Sequence, residues 1–174
     1  MATVLSHTEF LAEVKKLAHT ILERNPGMKN IAIIGVQQGG VVLANHLMQQ
    51  LKFQLPGKEI PYGKLDITFY RDDLHKNMLT PDKMHLPFAI TGLHVILIDD
   101  VLFTGRTIKA ALDALLDYGR PERVELCVLI DRHEHRQFPI QADYVGMVLE
   151  TAANEKVKLI KKVNDLLEVE LIKP

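Results

Sequence analysis

The sequence predicts an α/β protein built on a doubly wound parallel sheet. The runs Ile31–Gly35, Val95–Ile98 and Val124–Asp131 are almost wholly apolar, as strands covered on both faces are. Between them, apolar residues recur at helical spacing. Polar, glycine-bearing turns follow the first two runs, at the strand ends where open α/β sheets hold their ligands. With 174 residues, 47% of them hydrophobic, the chain suits one domain over residues 1–174 with a sizeable core.

Ser6-His-Thr-Glu9 has the spacing of a capping box, and Phe10, Leu11, Val14, Leu17, Ala18, Ile21 and Leu22 continue as a helical stripe. Asn25-Pro26-Gly27 stops it. The outward face carries Lys15, Lys16, His19 and Arg24, a small basic stripe for which an ordinary solvated helix face is the simpler account. After the strand Ile31–Gly35, the turn Gln37-Gln38-Gly39-Gly40 opens a helix bearing Val41, Val42, Ala44, Leu47, Met48 and Leu51. Two adjacent glycines let backbone approach an anion closely, although Gly-Gly alone is more often just a tight turn.

Residues 52–62 contain Pro56, Gly57 and Pro61 and form a loop; Gly63–Tyr70 then alternates as a strand with one face less buried. From Arg71 to about residue 88 periodicity is lost, through Asp72, Asp73, His75, Lys76, Pro81, Lys83 and His85. A segment that long is expected to be a lid, with Arg71 closing over an anionic group; a plain surface excursion is the rival account.

The central stretch is Val95–Thr107. Four apolar residues run into the pair Asp99 and Asp100, and Thr104-Gly105-Arg106-Thr107 then opens an amphipathic helix marked by Ile108, Ala111, Leu112, Leu115 and Leu116, with Gly119 and Pro121 as its stop. Backbone N–H groups and two hydroxyls at a helix N-terminus favour a phosphate dianion. Carboxylates just upstream would repel phosphate, so their partners are sugar hydroxyls or a metal-bound water. Phosphate at one end and a diol at the other make a ribose 5-phosphate site. Asp131 and Arg132 end the next strand at the same sheet edge and can line the same crevice. From about residue 132 to 174, short apolar groups at Tyr144–Leu149, Val157–Ile160 and Leu166–Ile172 suggest small strands of a hood. His133 and His135 have no third ligand at useful spacing and belong to a polar surface loop.

Net charge is −1, from 21 basic and 22 acidic residues, which argues against a general polyanion-binding field. The lone Cys127 excludes an intrachain disulfide, and neither a membrane-spanning run nor a signal peptide is present, so a cytoplasmic protein without membrane contact is expected.

The acidic pair followed by Thr-Gly-Arg-Thr resembles the phosphoribosyl-diphosphate (PRPP) loop of type I phosphoribosyltransferases. Three stretches narrow this: Leu65-Asp-Ile-Thr-Phe-Tyr-Arg-Asp-Asp-Leu74, Asp99-Asp-Val-Leu-Phe-Thr-Gly-Arg-Thr107, and Asp131-Arg132 with Pro139-Ile-Gln-Ala-Asp-Tyr-Val-Gly146. Together they are similar to the family of pyrimidine-operon regulators that are also uracil phosphoribosyltransferases. The resemblance covers nearly the whole chain and is weakest after Gly146.

It implies a type I transferase fold, PRPP with Mg2+ as donor, uracil as acceptor, UMP and diphosphate as products, binding to pyrimidine leader RNA, and self-association into a homo-oligomer. It also implies roles. Thr104, Gly105, Arg106 and Thr107 hold the 5-phosphate, and Asp99 and Asp100 hold the ribose, with Asp100 meeting PRPP-bound Mg2+ indirectly. Gln38, Gly39, Gly40 and Arg71 hold the diphosphate; Phe103, Asp131 and Arg132 border the base; Lys15, Lys16, His19 and Arg24 are the RNA-facing candidates. Purine members of the fold usually carry an acidic residue where Phe103 stands, and Phe103 cannot exchange a proton, which suits a pyrimidine. Departures lie in the hood, where Gln141, Met147 and Thr151–Asn154 are neutral at positions usually basic, and at Gln38-Gly39-Gly40, which replaces a Thr-Arg-Gly. Fewer phosphate contacts imply weaker RNA attachment.

Overall fold

Ser6 starts the first helix. In the computed structural model, which describes residues 1–68, 70 and 85–174, the Ser6 hydroxyl accepts from the Glu9 N–H at 3.4 Å, and the Glu9 carboxylate accepts from the Ser6 N–H at 2.8 Å. Two donors that the helix cannot satisfy internally are thus paired, and α1 runs His7–Arg24. Phe10, Val14, Leu17, Ala18 and Ile21 form its buried stripe. Ser6→Ala is expected to lower stability by about 1 kcal/mol, seen as a lower urea midpoint with an unchanged slope.

The remaining elements are β1 (Ala2–Leu5), β2 (Ile31–Val36), α2 (Gly39–Gln54), β3 (Tyr62–Leu65), β4 (His94–Leu102), α3 (Arg106–Tyr118), β5 (Arg123–Asp131), β6 (Tyr144–Val148), β7 (Lys156–Lys161) and β8 (Leu167–Ile172). Among the described residues, the main sheet has the order β3-β2-β4-β5-β6, and every pairing in it is parallel. Alternate side chains leave opposite faces. Ile31, Ile33, Ile96, Ile98, Cys127 and Leu129 pack with α1 and α2, whereas Ile34, Val95, Leu97, Leu126 and Val128 pack with α3. Helices on both faces make the sheet doubly wound, as the near-continuous apolar strands require.

Several elements differ from expectation. The strand over Gly63–Tyr70 ends at Leu65. There the Asp66 carboxylate accepts from both the N–H and the hydroxyl of Thr68, at 3.0 and 2.7 Å, and the Tyr70 N–H donates to Ile67 O. A side chain that satisfies its own backbone turns the chain out of the sheet. The first strand, β1, carries no local pattern, because its partner is β8 at the far end of the chain.

Tyr144–Leu149 is not part of the hood: as β6 it extends the main sheet beside β5. Tyr144 anchors it, donating to Glu125 of β5 at 2.8 Å and accepting from Asn25 Nδ2 at 2.9 Å. Burial first, and the Glu125 acceptor second, push its phenol up to about 12. The hood sheet is β1-β8-β7. Of the expected lid at 71–88, residues 71–84 lie outside the described residues, Arg71 among them, as does Phe69. At its far end, His85 pairs with Lys64 of β3 through reciprocal backbone hydrogen bonds of 2.9 and 3.1 Å.

Candidate active site

The strand β4 continues past its apolar run, so both acidic residues stand on regular backbone rather than in a loop. Strand alternation then divides them. Asp99, 5% exposed, is on the α3 side and lines a cleft with Val101, Leu102, Phe103, Thr104, Gly105, Arg106, Thr107 and Ile108. Asp100 is on the other side, directly under Gly39 at the start of α2. A Cβ on Gly39 would fall 2.1 Å from Asp100 Oδ2, and one on Gly40 would fall 2.3 Å from the Ile98 carbonyl oxygen. Gly40 is therefore needed for α2 to start against β4, whereas a side chain at Gly39 would displace the Asp100 carboxylate. The preceding Gln37–Gln38 peptide is cis. The acidic pair thus joins two loops: one residue serves the Thr104–Thr107 turn and the other serves the Gln38–Gly40 turn.

The turn after β4 depends on Gly105, whose φ of 90° is the left-handed region that side chains avoid. Thr104 Oγ1 accepts from the Arg106 N–H at 3.3 Å as α3 begins. The first N–H groups of α3 and the positive end of its dipole thereby face the cleft. The Arg106 side chain turns outward from this backbone cradle, donating to Gln137 Oε1 at 2.9 Å and lying over the Phe138 ring at 5.3 Å.

On the opposite wall, the Arg132 guanidinium lies 3.8 Å from the centre of the Phe103 ring. Its Nε donates to Thr151 Oγ1 at 2.7 Å and its Nη2 to Ala152 O at 3.1 Å. Only 3% of Arg132 is exposed, and burial lowers its pKa from the usual arginine value against the opposing influence of Glu134 and Glu155. His135 meets Phe103 edge-on at 5.3 Å while its Nε2 donates to Thr151 O at 2.7 Å. Asp131 is engaged by Arg136, 2.6 Å from its Oδ1.

Asp99, Asp100, Gly39, Gly40, Phe103–Thr107, Asp131 and Arg132 thus gather at the carboxyl edge of the parallel strands. His135, Arg136 and Thr151 also belong to this wall, although the sequence reading places His135 in a polar surface loop and Thr151 in a neutral run and does not single out Arg136. No local periodicity could signal them, since each is defined by a partner reached only through the fold.

The basic stripe is placed differently. Lys16 donates to Gly146 O at 2.9 Å and also pairs with Glu13. Arg24 donates to Asp143 O at 2.9 Å and lies over the Tyr144 ring. His19 is 3.3 Å from Glu23, and Lys15 is exposed. These residues follow α1 where it packs on β6 and do not join the cleft.

The phosphoribosyl transferase domain model matches residues 1–160. The chain is 51% identical over 160 residues to the Bifunctional protein PyrR of Deinococcus radiodurans, across 91% of this chain and 86% of that one. It is 43% identical over 172 residues to the Bifunctional protein PyrR of Microcystis aeruginosa, across 98% and 96%. A solved hypoxanthine phosphoribosyltransferase from Trypanosoma cruzi shares the fold, with a TM-score of 0.76 at 19% identity over 99% of this chain and 95% of that one. With the domain model matched over most of the chain and relatives of this identity and coverage, the chain belongs to the PyrR family of phosphoribosyl transferase domains.

Proposed function

We propose that the protein transfers ribose 5-phosphate from PRPP to N1 of uracil, giving UMP and diphosphate. The observation that carries the reading is the division of the acidic pair, with Asp99 toward the phosphate cradle and Asp100 against Gly39. A substrate with a 5-phosphate at one end and a diphosphate at the other spans that distance across its ribose.

In this reading the backbone of Thr104–Thr107 holds the 5-phosphate, and Asp99 and Asp100 accept from the ribose hydroxyls. Gln38, Gly39 and Gly40 hold the diphosphate, together with Arg71, which lies outside the described residues. As the bond from the anomeric carbon to diphosphate breaks, positive charge grows on the ribose ring, and two fixed carboxylates favour it. The new bond forms from uracil N1, whose proton is released. The described residues hold no cluster of three or more metal-ligating side chains. One or two carboxylates beside substrate phosphates are instead the usual setting for Mg2+, so Asp100 fits a hydrated ion carried in by PRPP, which would neutralise the leaving diphosphate.

Phe103 supports the choice of base, because its ring is held between Arg132 and His135 and offers no proton-exchanging group. Uracil, hypoxanthine, guanine and xanthine, each supplied with PRPP and Mg2+, test this by diphosphate release. Uracil is the expected acceptor, and release with a purine but not with uracil defeats the reading.

A second activity is suggested by the word bifunctional in the relatives' names. We infer a UMP-sensitive contact with pyrimidine leader RNA through the α1 face. Because Lys16, Arg24 and His19 already have protein partners, few phosphates would be neutralised, and a shallow dependence on salt is expected. Filter binding of leader RNA with and without UMP at two salt concentrations measures it; no UMP-dependent retention at low salt removes this activity.

A further inference from the structure

Beyond the turn at His133–His135, the chain runs back across the phosphate loop as a strap. Arg136 Nη2 donates to Asp131 Oδ1 at 2.6 Å, and Nη1 donates to the Phe103 carbonyl oxygen at 2.5 Å. Both side chains are largely buried, 17% and 11% exposed. The next two residues continue the grip: the N–H groups of Gln137 and Phe138 donate to Thr104 O at 2.8 and 3.1 Å. The strap therefore takes two successive carbonyls of the loop, Phe103 and Thr104.

This fixes more than the position of the loop. In a trans peptide the carbonyl and the following N–H point in opposite directions, and the Phe103–Thr104 and Thr104–Gly105 peptides are not cis. Holding the two oxygens against the strap turns the N–H groups of Thr104 and Gly105 away from it. The cleft that these residues border is lined by Asp99 and Val101–Ile108 and by none of the strap residues 136–138, so N–H groups turned from the strap are available to it. Donors aimed before an anion arrives cost no reorganisation when it binds.

We propose that Arg136 is the positioning residue of the 5-phosphate cradle. It transmits the fixed end of β5, through the Asp131 carboxylate, to the peptide whose N–H meets the phosphate. A planar guanidinium suits this task because its fork reaches two acceptors at once, which one ammonium does not. Both bonds are charge-assisted by the guanidinium, and the bond to Asp131 by the carboxylate as well. The proposal rests on the transferase reading and adds to it a residue that touches neither substrate.

The test compares wild type with Arg136→Gln and Arg136→Lys, measuring ribose 5-phosphate binding by calorimetry and the separate KM values for PRPP and uracil. Arg136→Gln is expected to weaken ribose 5-phosphate binding and raise the PRPP KM by about tenfold or more, with the uracil KM nearly unchanged. Arg136→Lys, which keeps the charge and one bond, should fall between. Wild-type ribose 5-phosphate affinity in Arg136→Gln overturns the proposal. An equal rise in both KM values also overturns it, since that is what general loosening of the wall would give. If Arg136→Gln does not fold, an unaltered PRPP KM in Arg136→Lys overturns it. A wild-type protein that binds ribose 5-phosphate but does not join PRPP to uracil defeats the transferase reading alone, and the binding comparison then still decides the role of Arg136.

Discussion

Asp100→Asn slows UMP formation by about 10²–10³-fold, the loss expected when one preorganised charge-stabilising group is removed, and leaves the fold intact. Asparagine keeps the shape and most of the hydrogen-bonding capacity of the side chain, so the packing of Gly39 on this position survives. What disappears is a negative charge beside the ribose at the moment that ring becomes positive. The ground state is affected less, because neutral ribose hydroxyls can still bond to the amide. The effect should therefore fall mainly on kcat, with a smaller change in the KM for PRPP. Thermal stability should be unchanged or slightly higher, since a partly buried charge next to buried Asp99 has been removed. A diphosphate-release assay and a melting curve read both effects, and near-normal turnover would remove Asp100 from the mechanism.

The second large effect comes from two neighbouring glycines that should fail differently. In Gly39→Ala the new methyl meets the end of a side chain, Asp100, which can swing aside. The protein should then fold with little loss of stability and yet turn over nearly as poorly as Asp100→Asn, because the carboxylate has left its place. In Gly40→Ala the methyl meets the Ile98 carbonyl within β4, and backbone in a central strand cannot move independently. Here α2 must be displaced from the sheet, at a cost of about 1–3 kcal/mol in stability. Melting temperature and kcat measured on both variants separate the cases: activity lost with stability kept for Gly39→Ala, and stability lost for Gly40→Ala. If Gly39→Ala keeps full activity, the close approach of Asp100 to the α2 turn has no catalytic purpose.

Much of this architecture was legible in the residues themselves because it is set by short-range pattern. Ser6 and Glu9 marked the start of α1, and its buried stripe of Phe10, Val14, Leu17, Ala18 and Ile21 follows from helical period alone. The double-sided burial of β2, β4 and β5 follows from their unbroken apolar runs. The order of Asp99, Asp100 and the Thr104–Thr107 turn was likewise enough to suggest a phosphate and a diol, since a strand, a tight turn and a helix N-terminus bring those groups together within a few residues.

The tertiary structure decided which partner each polar group meets. Asp66 spent its carboxylate on Thr68 and ended β3 early, while Tyr144 found Glu125 and Asn25 and drew β6 into the main sheet. Lys16 and Arg24, basic and outward by periodicity, were taken up by carbonyls of the 143–146 segment. Arg136, unremarkable in a polar stretch, became the link between Asp131 and the turn that follows β4. Periodicity tells which way a side chain points from its own element. It carries no information about what arrives from the other end of the chain, and for a charged or hydrogen-bonding group that arrival determines its role.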